Sequence, residues 1–559
     1  MHSVPSCDSH PAPGRSSRAL LALLLAGSVL ACAAERPPLT PGQAADSLSL
    51  DTYLAHQEAL STDAMQGRRP GTAGYDSAAA YVIREAAALG LEPGGAGGAW
   101  RQPILFRRSS LDPEGASFRV DGQPLELGID VAIAPRATAT EVDLRAPLAF
   151  AGFGISAPWL GYDDLEGLDV AGKLVVVVAG APESFGSLER TVLSSSASRD
   201  AELLARGAAG VVTVQVDGGE LPPTSRVRTR YVLPDGSEGR DGGDRVAAGT
   251  GGEELQASLS VSARVASDWM AGVGRSWEEV LASIRSGTPA SFDLEAEGHL
   301  QARFRHEPFE SPNVAALLTG ADPELRDEHL VLTAHLDHLG VGDPIDGDSI
   351  YNGTLDNASG SSALLTLASV LTGMEAPRRS ILFLWVTAEE SGLLGSEYFA
   401  RSPTVEGRVV ANQNVDGVMG MITATSDMLA FGYEHSNLSE AVDFAVARTG
   451  TPIAPDPTPD QNLFIRSDQY AFVRQGIPAI WVQSARSAVD PARNAQAELD
   501  AWIAERYHRP TDDLAQPMDL EGVMNELRTV FFVTHYIANE MREIRWDEES
   551  FLYQRFGAR

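Results

Sequence analysis

The sequence predicts an α/β protein built on a mixed, mostly parallel sheet that is flanked by helices. The carboxyl-terminal half supports this, because short apolar β-rich segments alternate there with helical ones. The hydrophobic fraction of 43% is enough for packed cores, and the 53 glycines and 33 prolines suit a loop-rich fold. With 559 residues the chain exceeds the size at which one core keeps growing, so we expect two domains.

The amino-terminal segment predicts export. Arg15 and Arg18 precede an apolar run from Ala19 to Ala31, which is shorter than the roughly 20 residues needed to span a bilayer. The run ends at Cys32 in "VLAC", which resembles a bacterial lipoprotein processing site; an ordinary signal peptide cut nearby is the alternative. We therefore expect residues 1–31 to be a signal peptide. The mature protein would be a lipoprotein of the bacterial cell envelope anchored through Cys32, or otherwise secreted.

The rest of the chain divides by composition. Residues 32–48 are rich in Ala, Pro and polar residues and predict a tether, and residues 49–60 predict a helix. Residues 125–268 contain short apolar strands separated by glycine-rich turns, which indicates a separate module. From 269 onward strands and helices alternate up to a long final helix near 519–541.

Charge and cysteine content exclude some functions. The formal net charge of -33 should repel phosphate backbones, so we expect no nucleic-acid partner. Cleavage after residue 31 would remove Cys7, one of the 2 cysteines, so no intrachain disulfide would form. The expected partners are peptide substrates, and the expected membrane contact is the lipid on Cys32.

Polar side chains follow three predicted strands at the points where those strands end. The strand "LVLTA" leads to His335 and Asp337, "ILFLWVTA" leads to Glu389 and Glu390, and "VVANQNV" leads to Asp416. In open α/β sheets the functional residues gather at the carboxyl ends of strands. Because successive side chains of an extended chain point to opposite sides, the adjacent glutamates are expected to have different roles.

Two further residues complete the set. Asp356 lies in "NGTLDNASG" just before a helix, and His508 comes late in "YHRPTDD". Taken singly, Asp356 is also explained as a helix cap, and His508 as a surface residue. Taken together, imidazole nitrogens and carboxylate oxygens at strand ends are the ligands that zinc prefers, so the sequence predicts a metal site.

The motifs resemble a known family. The stretches "GRRPGTAGYDSAAAYV", "AHLDHLG", "SIYNGTLDNASG", "VTAEESGLLGSEYFA", "NVDG", "RSDQYAFVRQGIPAI" and "YHRPTDD" are similar, in the same order, to those of the co-catalytic zinc exopeptidases. That family includes bacterial leucyl aminopeptidase, aminopeptidase Y and the glutamate carboxypeptidases. The resemblance implies a zinc peptidase domain over residues 49–124 and 269–559. It also implies that residues 125–268 are an inserted β-rich protease-associated domain.

The resemblance also implies roles for the site residues. Asp356 would bridge two zinc ions; His335 and Asp416 would complete one ion's ligands, and Glu390 and His508 the other's. Two zinc ions can hold a water between them and lower its pKa towards about 7.

Three further residues would assist in the reaction. Glu389 would then be the general base, and the carboxylate of Asp337 would orient the imidazole of His335. Tyr507 would stabilise the oxyanion.

His338 is expected to make a local hydrogen bond, and Gln469 stands where many relatives have histidine.

These expectations favour a dinuclear zinc aminopeptidase that hydrolyses amino-terminal residues from peptides. A carboxypeptidase or dipeptidase of the same fold is the alternative, with Arg466 as a candidate for binding a substrate carboxylate. A glutaminyl cyclase, whose relatives use one zinc, and a non-catalytic binding protein are further alternatives. The sequence leaves the oligomeric state open.

Overall fold

The computed structural model describes residues 38–137, 139–216, 219–232 and 255–557. The predicted signal peptide and Cys32 lie outside the described residues, as does the first part of the predicted tether. Among the described helices none combines the length and the apolar character needed to cross a membrane.

The α-helices in the described part of the chain are α1 (Pro41–Asp46), α2 (Leu50–Ser61), α3 (Ala73–Ala88), α4 (Ser187–Ser194), α5 (Ser196–Ala205), α6 (Ala263–Gly272), α7 (Trp277–Arg285), α8 (Gly360–Leu371), α9 (Leu394–Arg401), α10 (Ser439–Thr449), α11 (Gln469–Val473), α12 (Ala495–Glu505) and α13 (Leu520–Asn539). The predicted final helix is therefore present as α13. Several helices begin at a side-chain cap; the hydroxyl of Ser49, for example, accepts from the backbone N–H of Thr52 at the start of α2.

The strands are β1 (Glu92–Pro93), β2 (Arg101–Val120), β3 (Gln123–Leu125), β4 (Val131–Ile133), β5 (Glu141–Ala151), β6 (Ser156–Ala157), β7 (Tyr162–Asp163), β8 (Leu174–Val178), β9 (Gly210–Gln215), β10 (Val227–Val232), β11 (Ala257–Ser262), β12 (Ser291–Leu318), β13 (Glu328–His335), β14 (Gly340–Ile345), β15 (Asp348–Tyr351), β16 (Ser380–Val386), β17 (Arg408–Asn414), β18 (Met428–Phe431) and β19 (Ala479–Ser484).

The main sheet is mixed, with a parallel centre. Its order runs β18-β19-β17-β13-β16-β12. Strands β19, β17, β13 and β16 are parallel to their neighbours in this set, whereas β18 and β12 pair antiparallel at the two sides. This confirms the predicted fold class of a mostly parallel sheet flanked by helices.

Strand β16 shows why its sequence is apolar at every position. Ile381, Phe383 and Trp385 belong to the large core that contains α2, α3, α8 and α13. The alternate residues Leu382, Leu384 and Val386 pack on the opposite face against α9 and α11. Helices cover both faces of the strand, so both sets of side chains are buried.

A second core lies in the middle of the chain. It is built around the parallel strands β5, β8, β9 and β11, with β4 antiparallel at the edge, and it draws on residues from Leu111 to Phe304. Strand β12 links the two regions, because it pairs with β5 over Ser291–Arg303 and with β16 over Val314–Leu318. The two sheets are therefore one continuous sheet.

The tether prediction is wrong for residues 41–48. Residues 41–46 form α1, in which Ala44 and Ala45 are buried in the main core together with Leu48. Thr40 caps this helix, and its Oγ accepts from the backbone N–H of Gln43. The small alanine side chains allow the helix to lie close against the domain, so an Ala-rich composition does not by itself indicate an unpacked segment.

Candidate metal centre

Three parallel strands end at the same edge of the main sheet. In the β13–β16 pair His335 lies opposite Val386, and in the β13–β17 pair Thr333 lies opposite Asn414. The residues that follow these strand ends therefore lie close together at this edge of the sheet.

The first donor group is formed by His335, Asp356 and Asp416. The Nε2 atom of His335 lies 3.2 Å from Oδ1 of Asp356 and 3.1 Å from Oδ1 of Asp416. The His335 side chain is buried, with 1% of its surface exposed. One imidazole nitrogen and two carboxylates thus converge at the end of β13.

The second donor group uses the other oxygen of Asp356. Oδ2 of Asp356 lies 3.3 Å from Nε2 of His508, and the same nitrogen lies 3.2 Å from Oε2 of Glu390. Asp356 therefore presents one oxygen to each group. The structure brings together all five residues that the sequence predicts as ligands.

His338 joins this group and was not predicted to do so. Its Nδ1 atom lies 2.7 Å from Oε1 of Glu390 and 3.9 Å from Oδ2 of Asp356, and its side chain is fully buried. His338, Asp356 and Glu390 also satisfy the geometry of a metal-binding group. The hydrogen-bond partner of the His338 side chain is Glu390, which is distant in sequence. The prediction of a local hydrogen bond for His338 is therefore wrong.

The carboxylates and imidazoles of the centre shift one another's pKa values. Burial opposes ionisation of Glu390, but hydrogen bonds from His338 and His508 lower the Glu390 pKa to about 2. Burial likewise opposes charging of His508, yet Asp356 and Glu390 raise the His508 pKa to about 10. A metal ion bound here would displace the proton of the His508 imidazole.

Glu389 differs from its neighbour Glu390. Its carboxylate makes no hydrogen bond to any residue within the described ranges, and its side chain belongs to neither donor group. Burial raises the pKa of Glu389 well above its ordinary value, and the charges of Asp416 and Glu390 act in the same direction. Ala388, which precedes it, has a φ of 56°, and this left-handed residue turns the chain at the strand end.

Asp337 makes a different contact from the one predicted. The Nδ1 atom of His335 lies 3.1 Å from the main-chain oxygen of Asp337, not from its carboxylate. Oδ1 of Asp337 instead accepts from the backbone N–H of Glu389 at 3.1 Å. The loop after β13 turns the carboxylate towards the next strand, so Asp337 positions the Glu389 main chain while its carbonyl orients His335.

Asp512 supports the loop that carries the shared carboxylate. Its side chain is fully buried, and its carboxylate accepts from the backbone N–H groups of Leu355 and Asp356 at 2.9 and 3.1 Å. Asp512 follows His508 by four residues. One short segment therefore supplies the donor His508 and also holds the backbone of Asp356, a second donor. Sequence reasoning missed this residue, although it lies in the quoted "YHRPTDD".

Arg68 supports the same loop from the opposite side. This arginine is fully buried, and its guanidinium donates to the main-chain oxygens of Leu60, Leu336, Asn352 and Gly353 at 2.6 to 2.8 Å. Leu336 follows His335, and Gly353 precedes the Asp356 loop. Arg68 therefore ties two ligand-bearing segments to the amino-terminal region.

Gln469 lies in the core behind the centre. It is fully buried, its Oε1 accepts from Nδ2 of Asn414 at 2.7 Å, and its Nε2 donates to the main-chain oxygen of Phe464 at 2.7 Å. Asn414 ends the strand that leads to Asp416. Gln469, which stands where many relatives have histidine, therefore supports the strand that leads to Asp416.

Tyr507 and Asp468 lie at the periphery of the two groups. The Tyr507 ring stacks on His508 with a centroid distance of 3.9 Å, and 44% of the residue is exposed. Asp468 is fully buried, and burial raises its pKa to about 7. No signal in the sequence distinguished Asp468 from an ordinary surface aspartate. Arg466 lies just before it in the chain and is exposed.

The donor chemistry fits zinc. Imidazole nitrogen and carboxylate oxygen are the ligand atoms that zinc takes in sites with an open position, and the oxygens of Asp356 face both groups. Asp512 and Arg68 hold the loop that carries Asp356, and such supporting contacts are typical of metal sites.

Comparisons with known proteins agree with this geometry. Residues 313–531 match Peptidase family M28. Leucine aminopeptidase 1 of Trichophyton equinum is 27% identical over 209 residues, which is 36% of this chain and 54% of that protein. Leucine aminopeptidase 2 of Trichophyton rubrum is 36% identical over 223 residues, or 36% of this chain and 40% of that protein. The chain thus spans about half the length of the curated relatives it matches.

The fold is also similar to that of a solved structure. The aminopeptidase from Aneurinibacillus sp. strain AM-1 aligns over 91% of this chain and 98% of its own, with a TM-score of 0.50 and 18% identity. The family match covers the segment that contains all five predicted ligands and Glu389. The segment that carries the candidate metal centre, residues 313–531, therefore resembles Peptidase family M28.

Proposed function

We propose that this protein is a dinuclear zinc aminopeptidase. His335, Asp356 and Asp416 would hold one ion, and Asp356, Glu390 and His508 the other. The observation that carries this proposal is the position of Asp356, whose Oδ1 faces His335 and whose Oδ2 faces His508. A pair of zinc ions supplies Lewis acidity towards the scissile carbonyl and makes a water molecule more acidic.

The protein's own groups would move the proton. The Glu389 carboxylate has no hydrogen bond among the described residues and is half-buried beside the candidate ligands, so it is suited to accept a proton from water. The same carboxyl then passes that proton to the leaving amine. Asp337 keeps Glu389 in place through its backbone N–H, and the phenol of Tyr507 would donate to the oxyanion.

The direction of cleavage is the part to be tested first. The names of the matched relatives support aminopeptidase action, and a carboxypeptidase, a dipeptidase or a cyclase would share much of this site. Hydrolysis of peptides with a free or acetylated amino terminus, with and without a chelator, separates these functions. We expect cleavage of free peptides alone, with loss of activity on chelation and recovery on adding zinc.

Other results would contradict the proposal. Equal cleavage of acetylated peptides would support carboxypeptidase action, and cyclisation of amino-terminal glutamine without peptide hydrolysis would support a cyclase. Peptide binding without turnover, by protein that contains zinc, would support a non-catalytic role.

The site of action is proposed to be outside the cytoplasm. Residues 1–31 would be a signal peptide with Cys32 as the lipid anchor, and residues 125–268 would be a protease-associated domain beside the peptidase domain of residues 49–124 and 269–559. A Cys32→Ser variant tests the anchor, because we expect it to move the protein from the membrane fraction to the soluble fraction. Unchanged fractionation would contradict lipidation.

A further inference from the structure

A second polar cleft lies outside the donor groups. It has a volume of about 400 Å³, and its lining includes Arg69, Arg108 and the residues Thr72, Ser109 and Ser110. Glu307 is the carboxylate among the described residues that line it. Two arginines thus line one cleft in a chain whose net charge is -33.

Arg108 is held in a fixed position. Its Cζ atom lies 3.9 Å from the ring centroid of Phe309, and its guanidinium donates to the main-chain oxygen of Pro70 at 3.0 Å. The Phe309 ring in turn stacks on Phe106 at 5.1 Å. The remaining N–H groups of Arg108 are therefore presented to the cleft by a rigid support.

Neither arginine has a carboxylate partner within the described ranges. No ion pair within 4.0 Å joins Arg69 or Arg108 to a described acidic residue, whereas Arg379 and Arg474, for example, pair with Glu328 and Glu397. The two cations also affect each other: burial and then the charge of Arg69 lower the pKa of Arg108, against the opposing effect of Glu307. An anion between them would relieve this repulsion.

The cleft borders the segments that carry the metal ligands. The backbone oxygen of Arg68 accepts from the N–H of His338, and Gly340 is packed so closely that an added Cβ would lie 2.5 Å from the Cβ of Arg69. On the other side, Phe309 packs on a cluster that includes Ala388, the residue before Glu389. A peptide bound at the metal centre would have this cleft near its path.

We infer that Arg69 and Arg108 form a carboxylate-binding subsite for peptide substrates, with the hydroxyl of Ser110 as an additional donor. A guanidinium binds a carboxylate through paired N–H groups, which matches the free donors of both arginines. The carboxylate belongs either to an acidic side chain or to the carboxyl terminus of a short peptide. This inference rests on the proposed peptidase function.

Two matched pairs of substrates test the subsite. Leu-Gly-Gly as the free acid is compared with its carboxamide, and Leu-Glu-Gly amide is compared with Leu-Gln-Gly amide. We expect the zinc-loaded wild type to favour the anionic member of at least one pair by about three- to tenfold in kcat/KM, mainly through KM. The pair that shows the preference identifies the source of the carboxylate.

The variants Arg69→Gln and Arg108→Gln should each reduce this preference, and the double variant should abolish it while cleaving the neutral peptides at the wild-type rate. Arg119→Gln is the matched control, because Arg119 is an exposed arginine on the same strand as Arg108. Equal kcat/KM within both pairs in the wild type, or a preference that survives in the double variant, would overturn the subsite.

A binding measurement separates this inference from the proposed function. Calorimetric titration of the same peptides into zinc-loaded Glu389→Gln protein reports affinity without turnover. If the wild type cleaves none of the four peptides, the proposed function fails, and the calorimetric preference still decides the subsite. If neutral peptides are cleaved and affinities within each pair are equal, the subsite alone fails.

Discussion

At the scale of single residues, Glu389 and Glu390 show how neighbouring side chains of one type acquire different properties. Glu390 receives hydrogen bonds from two histidines, which lower its pKa to about 2. Glu389 receives none among the described residues, and burial raises its pKa. One is therefore suited to bind a cation and the other to accept a proton.

Replacing Glu389 by glutamine tests that difference. Glutamine keeps the size of the side chain but cannot accept the proton, so we expect kcat to fall by at least about a hundredfold. Zinc content, measured by mass spectrometry of the dialysed protein, should be unchanged.

The matched control is Glu390→Gln, which removes a charged donor from the second group. We expect this variant to lose one of two zinc ions as well as activity. A Glu389→Gln protein that retained near-normal kcat, or that lost its zinc, would show that the base is a different group.

Glu526 gives a prediction about pH and stability. It is buried on α13, its Oε2 accepts from the backbone N–H groups of Gly420 and Ser484, and burial raises its pKa to about 7. Because the folded-state pKa is above the unfolded value, the contribution of this group to stability is present at low pH and is lost as the pH rises towards 7.

Glu526→Gln keeps the accepting oxygen and removes the titration. We expect its unfolding free energy, relative to wild type, to increase by about 2 to 3 kcal/mol between pH 5 and pH 8. Urea denaturation of both proteins at each pH measures this difference. A difference that does not depend on pH would contradict the raised pKa.

At the scale of elements, the loop before α8 is held from two sides. Asp512 binds its backbone N–H groups, and Arg68 binds carbonyl oxygens of the residues before it. Gln66, Gly67 and Arg68 all have positive φ, so this arginine reaches the loop from an unusual backbone conformation. The position of Asp356 thus depends on segments far away in the sequence.

Arg68→Lys tests this support. A lysine ammonium cannot reach four carbonyl oxygens arranged around a planar guanidinium, and its charge would be buried with fewer hydrogen bonds. We expect zinc affinity to fall by about tenfold or more. Competition with a chromogenic chelator measures the affinity.

The control is Arg84→Lys, since Arg84 is an exposed arginine on α3 that pairs with Glu85. This variant should bind zinc like the wild type. Wild-type zinc affinity in Arg68→Lys would show that Arg68 stabilises the fold without positioning the ligands.

The strand ends could be predicted from sequence, but their supports could not. His335, Glu390 and Asp416 follow apolar runs, and parallel strands bring such positions to one edge. Arg68, Asp512 and His338 act through long-range hydrogen bonds, which leave no periodic pattern in the sequence. The contact of Asp337 was predicted wrongly, because its direction depends on how the loop turns after β13.

At the scale of the whole molecule, the pairing of the strands also could not be predicted from the sequence. Composition separates residues 125–268 from the rest, but the second core draws on residues from Leu111 to Phe304, and β12 runs through both regions of the continuous sheet. The 28-residue strand β12 alternates polar and apolar residues before Pro312 and becomes apolar from Val314, where it pairs with β16, so composition marks two segments but does not show that they form one strand. The packing of α1 was missed for a similar reason, since alanine is common in both packed and unpacked segments.

Zinc binding should stabilise the whole protein. Because the donors come from distant parts of the chain, metal binds the folded state in preference to the unfolded one. With free zinc at about 100 times Kd, we expect about 3 kcal/mol of stabilisation per site. Thermal unfolding at several zinc concentrations should show a rising midpoint in the wild type and little change in Asp356→Asn.

Anomalous diffraction at the zinc absorption edge, from crystals of the zinc-loaded wild type, examines the arrangement of the centre itself. Two anomalous peaks are expected, one beside Nε2 of His335 and the other beside Nε2 of His508, each in contact with a different oxygen of Asp356. A single peak, or two peaks that do not share Asp356, would contradict the proposed dinuclear centre.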